Sequence, residues 1–241
     1  MTGTRTLPRE FYARPTLDVA RDLIGKALVH ETPAGRVSGV IVEVEAYIGE
    51  SDPACHAAPG PTRRNAPLYG PPGMAYVYLN YGIHYLVNAV TEPAGSPAAV
   101  LLRALEPFEG ESLMRRRRSR VSGRPAEAFA SMELCRGPGN LTRALGISLR
   151  HNARDLTGSA LRIEDLNLPA RDVAWSRRIG INVGVDAEWR VHAVGSAAVS
   201  GRSQKLPTRD GLLKAPVPLK HQSPSVSGFG DSSAGRSALR R

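Results

Sequence analysis

Four segments rich in β-branched and aromatic residues follow one another through the middle of the chain, and they limit the folds available to it. They cover residues 37–47, 75–79, 84–90 and 98–105. Each has the length and residue types of a strand, and helical patterns do not alternate regularly with them. This order favours a mixed α+β domain over a doubly wound parallel sheet. We therefore expect a single α+β domain.

The flanking regions predict three helices and two later strands. These are helices over residues 16–28, 111–119 and 138–145, and strands around Ile163 and over residues 179–185. From residue 201 onward the sequence is rich in Pro, Ser and Gly and has no sustained period. We expect residues 1–200 to form the folded domain and residues 201–241 to form a basic, disordered C-terminal tail.

The chain carries 32 Lys and Arg against 22 Asp and Glu, a net charge of +10. Residues 201–241 hold eight basic and two acidic residues, so 8 − 2 = +6 of this charge lies there and +4 remains for residues 1–200. A basic protein attracts polyanions, with nucleic acid as the first candidate. Arginine supplies 28 of the 32 basic residues. A G/C-rich coding sequence would explain that bias equally well, so charge alone leaves the partner open.

Other classes are disfavoured by what the sequence lacks. No window approaches the ~18 consecutive apolar residues of a membrane span, and the N-terminus has no signal-peptide core, so we expect a cytoplasmic protein without a membrane partner. Cys55 and Cys135 are too few for a disulfide framework or a thiolate metal site. There is no phosphate-binding GxxxxGK[ST] loop. We expect no metal, no other cofactor and a monomer.

Glu43 and Glu45 lie two residues apart in an apolar strand. Regular alternation places them on one face with Ile41 and Tyr47, about 7 Å apart by strand rise. The face is either solvated or lines a cleft, and in a cleft one carboxylate could act as a general base toward water. Both alternatives stay open from the pattern alone.

Arg103 stands inside the apolar segment 98–105. A buried charge needs a partner, so this residue either forms a structural ion pair, points out of the strand, or pairs with a strand carboxylate through a held water. The carboxylate pair and the arginine therefore suggest each other.

Four tyrosines occur within residues 76–85, although aromatic residues make up only 5% of the chain. Tyr81 lies between Asn80 and Gly82 at the predicted tip of a hairpin, where turns prefer small polar residues. An exposed aromatic tip on a basic protein is typical of a wedge that enters stacked bases. The alternative is a Tyr81 ring that folds back on its own hairpin.

The loop at residues 52–72 adds candidates for contacts with nucleic acid. His56 supplies a flat ring for base stacking, although a lone loop histidine is usually just exposed. Thr62, Arg63 and Arg64 are a dense set of donors of the kind that holds phosphate, as is the stretch 136–140 before the third helix. The run of arginines at residues 115–118 is more typical of a solvated helix face.

Two catalytic modes are disfavoured for such a protein. The cysteines are not in a CxxC or HxE-type arrangement, which argues against a zinc deaminase. Lys26 is the only lysine before residue 200, and it falls on a predicted helix, which argues against a Schiff-base nucleophile.

Several motifs occur in a fixed order: the strand at residues 41–47, Ala54-Cys55-His56, the hairpin at 76–82, Asn88, the strand at 100–107, and the stretch 133–141. Together they resemble the alkyladenine (3-methyladenine) DNA glycosylase family, from about Pro8 to about Ser200. The resemblance implies a single domain built on a curved antiparallel sheet, with flanking helices and a β-hairpin that protrudes into the DNA minor groove. It also implies a monofunctional glycosylase of base excision repair, which flips damaged purines from duplex DNA and leaves an abasic site.

The resemblance assigns roles to residues of this chain. Glu45 would be the general base for the attacking water, and Arg103 would help to hold that water. Tyr81 would fill the gap left by the flipped nucleotide. The remaining roles are a base pocket of Tyr47, His56, Tyr78 and Asn88, with Asn88 excluding the 2-amino group of guanine, and DNA-backbone contacts from Thr62, Arg63 and Arg64.

Two other hypotheses remain at this stage. One is a non-catalytic binder of damaged or single-stranded DNA, which would have no need of a carboxylate such as Glu45. The other is an RNA-binding or tRNA-modifying domain, which would not need an aromatic wedge at position 81.

Overall fold

The computed structural model describes residues 5–201. Within this range the chain forms one sheet of nine strands, and every pairing in it is antiparallel. The strands are β1 (Arg5–Thr6), β2 (Ala27–Thr32), β3 (Gly35–Ile48), β4 (Ala75–Asn80), β5 (His84–Val90), β6 (Ala98–Glu109), β7 (Leu161–Asp165), β8 (Val173–Ser176) and β9 (Arg190–Ala193).

The main order of the sheet is β1-β7-β2-β3-β6-β5-β4, and β8 pairs with β9. The long strand β3 is at the centre: it pairs with β6 along one edge, and with β2 and β9 along the other. A strand with neighbours on both edges buries its backbone groups in ladder hydrogen bonds, which suits its almost unbroken apolar sequence.

Four α-helices accompany the sheet within the described range: α1 (Arg9–Tyr12), α2 (Thr16–Leu23), α3 (Glu111–Ser122) and α4 (Pro138–Leu145). The main core joins their apolar faces to the sheet through Leu17, Leu23, Met114, Leu141 and Leu145. Tight 3₁₀ turns lie at Ala66–Tyr69, Ala126–Ala128, Ser131–Glu133 and Leu149–His151. The prediction of one mixed α+β domain with a large antiparallel sheet is confirmed. None of the helices in this part of the chain is long and apolar enough to cross a membrane.

Two irregularities interrupt the pairing of β3 with β6 at the point where charged residues enter the sheet. Ile41 pairs with Leu105 and Glu43 with Ala104, so Val42 is an extra residue on β3. Val44 then pairs with Leu102, which makes Arg103 an extra residue on β6. Such bulges re-aim side chains and increase local twist.

The bulge corrects one prediction from the sequence. Regular alternation assigns Ile41 to the face of Glu43, but Ile41 lies in the main core with Val44 and Ala46. The extra residue on β3 shifts the alternation between Ile41 and Glu43 by one position. Glu45 and Tyr47 lie beyond the bulge, where alternation is regular again.

Two predicted elements differ from the structure. The helix predicted over residues 16–28 ends at Leu23, because Gly25 adopts a left-handed conformation (φ 88°) and the chain continues as β2. No strand forms over residues 179–185; that segment contains Gly180 and Gly184 at positive φ and connects β8 to β9. The strand around Ile163, the hairpin of β4 and β5, and helices α3 and α4 form as predicted, with α3 longer by three residues. The predicted tail, apart from Gly201, lies outside the described residues.

Candidate active site and nucleic-acid interface

A cavity of about 390 Å³ opens beside the hairpin of β4 and β5. Its wall is formed by side chains from β3, β4, β5, β6 and the loops at residues 54–68 and 179–181. The sequence candidates that line it are Tyr47, His56, Tyr78, Tyr81, Asn88 and Arg103. The structure therefore brings six of the predicted site residues to one cavity.

Glu45 lies directly behind this wall and is fully buried. Its Oε1 accepts a hydrogen bond from the backbone N–H of Ile179 at 2.7 Å, and its Oε2 accepts one from the hydroxyl of Tyr47 at 2.9 Å. Arg103 Nη1 forms an ion pair with Oε2 at 3.1 Å. All three neighbours line the cavity, so the carboxylate is one hydrogen bond away from it.

Glu43 is also fully buried, and it holds two arginines. Its Oε1 accepts from Arg103 Nε at 2.9 Å and from Arg190 Nε at 2.8 Å. Burial by itself raises the pKa of the Glu43 carboxyl, but the charges of Arg103 and Arg190 outweigh burial and lower the pKa below its usual value. Glu43 is therefore ionised at neutral pH.

These contacts decide between the alternatives left open by the sequence. The two carboxylates do not form a solvated outer face, because both side chains are fully buried. Arg103 is buried and pairs with both of them directly. This agrees with the alternative of a structural ion pair, and differs from the alternatives of an outward-pointing side chain and of a pair through a held water. The Arg103 bulge on β6 aims its side chain at β3, which explains how one arginine reaches two carboxylates.

The aromatic side of the cavity is built on the hairpin strand β4. The ring of Tyr78 lies 4.5 Å from that of His56 between centroids, and His56 Nδ1 lies 2.8 Å from the hydroxyl of Tyr76. Burial, followed by the charge of Arg64, lowers the pKa of His56, so its ring is neutral at neutral pH. Burial also raises the pKa of Tyr47, whose hydroxyl therefore keeps the proton that it donates to Glu45.

Asn88 occupies a buried position on β5, opposite Tyr76 on β4. Its Nδ2 donates to the backbone carbonyl of Tyr76 at 3.0 Å, which fixes the amide orientation. The remaining polar atom of the side chain is free to face the cavity that it lines.

Tyr81 is at the tip of the hairpin, with 83% of its surface exposed and φ at 48°. The ring therefore does not fold back on the hairpin, which was the alternative. Ile83, 63% exposed, is a second apolar side chain at this tip that the sequence analysis missed. The backbone on either side of Tyr81 is contacted by arginines: Arg64 Nη2 lies 3.4 Å from the Leu79 carbonyl, and Arg143 Nη2 lies 3.4 Å from the Ile83 carbonyl.

The donor-rich turn at residues 62–65 is organised around Asn65. Asn65 Oδ1 accepts from the Thr62 N–H at 2.6 Å, and its Nδ2 donates to the carbonyls of His56 and Gly60. Arg63 and Arg64 are exposed next to this turn, and the Arg64 guanidinium lies 5.7 Å from the centre of the Tyr78 ring. The turn therefore joins two exposed arginines to the loop that carries His56.

Two other basic stretches have mainly structural contacts. On α3, Arg115 pairs with Glu111, while Arg117 and Arg118 donate to backbone carbonyls of neighbouring elements, so this face is less solvated than the sequence suggests. In the stretch before α4, Arg136 donates to the Ala197 carbonyl, and its own carbonyl accepts from Asn140.

A buried ion pair that the sequence analysis missed supports the wall of the cavity. Arg178 donates to both oxygens of Asp52 at 2.6 and 2.8 Å, and neither side chain is more than 1% exposed. The guanidinium lies between the rings of Tyr47 and Trp189, 4.7 and 5.0 Å from their centres. Only the position of Arg178 next to the apolar Ile179 could have drawn attention to it, because nothing in the sequence relates residues 126 positions apart.

The described residues contain no group of three or more His, Cys, Asp or Glu side chains that could hold a metal ion. Lys26 forms an ion pair with Asp165 at 2.6 Å, and it does not line the cavity. The helix predicted for this lysine ends before it, because Lys26 lies between α2 and β2.

The sequences that this chain matches belong to the DNA glycosylases, which are hydrolases of DNA repair. Residues 10–197 match the sequence model of the methylpurine-DNA glycosylase (MPG) family. The chain therefore belongs to the methylpurine-DNA glycosylase family.

Curated relatives match most of this chain. A protein of Methanocella arvoryzae is 50% identical over 201 residues, which cover 82% of this chain and 96% of that protein. One of Chlorobium phaeobacteroides is 46% identical over 198 residues, covering 81% and 96%, and one of Rubrobacter xylanophilus is 49% identical over 175 residues, covering 72% and 86%. Each is named "Putative 3-methyladenine DNA glycosylase".

Proposed function

We propose that the protein is a monofunctional glycosylase that flips alkylated or otherwise damaged purines of the 3-methyladenine type out of duplex DNA. It then hydrolyses the N-glycosidic bond with a water activated by Glu45 and leaves an abasic site. The observation that carries this proposal is the juxtaposition of the buried Glu45–Arg103 pair with an aromatic cavity at the base of an exposed wedge.

Base extraction is assigned to the hairpin tip. Among the large hydrophobic side chains of the described residues, Tyr81 is the most exposed, and an aromatic ring can occupy the space that a nucleotide vacates. Flipping costs a few kcal/mol and costs least for a damaged or mismatched base, which supplies part of the selectivity. Thr62, Arg63 and Arg64 hold the DNA backbone beside the tip.

Base recognition is assigned to the cavity wall. Tyr47, His56 and Tyr78 present aromatic faces, and an N-alkylated purine carries positive charge that such faces attract. The Asn88 side chain, held in place by its hydrogen bond to the Tyr76 carbonyl, would clash sterically with the 2-amino group of guanine and so exclude that base. A neutral His56, held by Tyr76, avoids repulsion of a cationic base.

Hydrolysis requires one carboxylate and one water. The water oxygen forms a bond to C1′ of the sugar, the C1′–N bond breaks with its electron pair moving to the base, and the water proton passes to Glu45. An alkylated purine already carries the positive charge that its departure neutralises, so the leaving group needs little help. The chemistry requires neither a metal nor a lysine, and Lys26 is engaged by Asp165 outside the cavity.

The test uses a duplex with one hypoxanthine or one alkylated adenine, with enzyme in excess and EDTA present. We expect abasic sites from the wild type and no adduct that borohydride can trap. Glu45→Gln should bind this duplex with unchanged affinity and release no base. Glu50→Gln is the matched control, because Glu50 is an exposed carboxylate near the same strand. Binding without base release by the wild type would overturn the proposal in favour of a damage-binding protein.

A further inference from the structure

Glu43 does not line the cavity, yet it contacts the arginine that does. Arg103 Nε donates to Glu43 Oε1 at 2.9 Å, and Arg103 Nη1 forms an ion pair with Glu45 Oε2 at 3.1 Å. The guanidinium is therefore divided between two carboxylates. Glu45 contacts three residues that line the cavity, whereas Glu43 contacts the lining through Arg103.

The end of the described domain closes this network. The backbone N–H of Ser200 donates to Glu43 Oε2 at 2.6 Å, and its hydroxyl donates to Oε1 at 2.9 Å. The same hydroxyl accepts from Arg103 Nη2 at 3.2 Å, and the Ser200 carbonyl accepts from Arg190 Nη2 at 3.0 Å. Ser200 is buried, although it lies at the end of the domain.

We propose that Glu43 and Ser200 are positioning residues for Arg103. By binding its Nε and Nη2, they prevent Arg103 from forming a two-pronged ion pair with Glu45. This inference rests on the proposed function, in which Glu45 accepts a proton from water. Neither residue touches the substrate, so neither is a catalytic residue.

The Glu45 carboxylate already has several polar neighbours. A carboxylate has about four lone-pair positions. Ile179 and Tyr47 donate hydrogen bonds to two of those of Glu45, one on each oxygen, and Arg103 Nη1 lies against Oε2 as an ion pair at 3.1 Å. The second position of Oε1 is left for a water. An arginine released from other partners forms a two-pronged pair with a carboxylate, which is its preferred geometry. In that arrangement Arg103 would take the position that the water needs.

Glu43 and Ser200 prevent this by holding the other side of the guanidinium. Glu43→Gln replaces one acceptor oxygen by an NH₂ group, which is a donor. That NH₂ group then faces donors that the carboxylate had bound. Arg103 would then turn toward Glu45. We expect the excision rate to fall on the order of 10- to 100-fold, the size that a small misplacement near a reacting group can produce. Ser200→Ala removes one tether only, and its loss should be smaller.

The sheet offers a matched control. Glu164 on β7, two strands away from β3, is also buried and shared by two arginines, Arg36 at 2.9 Å and Arg162 at 2.7 Å. Glu164→Gln therefore also removes a buried carboxylate that is shared by two arginines, but at a site that does not line the cavity. The full-length variants Glu43→Gln, Ser200→Ala and Glu164→Gln are compared by excision rate at saturating enzyme, by affinity for a duplex with a tetrahydrofuran abasic analogue, and by thermal melting.

The inference is supported if Glu43→Gln and Ser200→Ala slow excision with unchanged affinity, and Glu164→Gln keeps the wild-type rate. A folded Glu43→Gln protein with the wild-type rate overturns it, as does a parallel loss of rate and affinity. If Glu43→Gln does not fold, Ser200→Ala decides by the same criteria. An active Glu45→Gln overturns the proposed function, whereas an inactive Glu45→Gln beside a fully active Glu43→Gln overturns only this inference.

Discussion

Replacing Asp52 by Ala should destabilise the fold severely, because it leaves the Arg178 charge buried without its carboxylate. The two side chains are at most 1% exposed and share two hydrogen bonds of 2.6 and 2.8 Å. Removing one partner of a buried ion pair costs about 3–5 kcal/mol. For a domain of this size, that loss corresponds to a drop of about 6–20 °C in melting temperature.

The assay is urea unfolding of Asp52→Ala, Arg178→Met and the double variant. The double variant should be more stable than Asp52→Ala, since it no longer buries an unpaired charge. The complete cycle of wild type, both single variants and the double variant gives the coupling energy of the pair.

The neighbouring pair Arg177–Asp186 is the control. It spans 3.2 Å, but its side chains are 63% and 87% exposed, so Asp186→Ala should cost less than about 1 kcal/mol. A loss below about 1 kcal/mol in Asp52→Ala, or a double variant less stable than that single variant, would refute the reasoning.

Two further predictions concern the hairpin tip and a histidine pair. Tyr81→Gly should leave the melting temperature nearly unchanged, because the side chain is exposed and glycine tolerates a φ of 48°. Excision from a fully paired duplex should be slower, because the variant lacks the wedge. An unchanged excision rate would refute the assignment of Tyr81 as the wedge. Burial, with the adjacent His30, lowers the pKa of His151 to about 4, and Ser148 N–H donates to its Nδ1 at 3.0 Å. The unfolded state therefore binds more protons between about pH 6.5 and pH 4, and stability falls as pH falls through this range. His151→Gln should flatten that part of the curve of melting temperature against pH, and an unchanged curve would contradict the assignment.

Local patterns predicted the elements whose information lies in neighbouring residues. The hairpin depends on two apolar strands with Asn80-Tyr81-Gly82 between them, and it forms with Tyr81 at its tip. The apolar segment around Arg103 and the carboxylates of β3 suggested each other, and they meet in the structure. That Arg103 would contact both carboxylates could not be predicted, because this depends on a bulge that arises only when β3 pairs with β6.

The features that sequence reasoning missed are set by distant parts of the chain. The pair of Asp52 with Arg178 and the closure of Ser200 on Glu43 join residues more than 120 positions apart. The helix over residues 16–28 was predicted too long because Leu28 fits its apolar spacing, yet Gly25 ends the helix and Leu28 pairs with Gly39 in the sheet. The apolar residues of 179–185 predict a strand, but the segment forms a connection in which Ile179 and Ile181 line the cavity.

The bulges at Val42 on β3 and at Arg103 on β6 compensate for each other. Val42 adds one residue to β3 and Arg103 adds one to β6, so Ile41–Leu105 and Val44–Leu102 lie in the same overall register. Loss of either residue alone would shift one strand past the other and turn every later side chain to the opposite face. Loss of both would leave a regular ladder from Gly39 to Ile48 that lacks Arg103 at the cavity wall. Point substitutions can therefore alter this site gradually, but a change of length in either strand must be matched in the other.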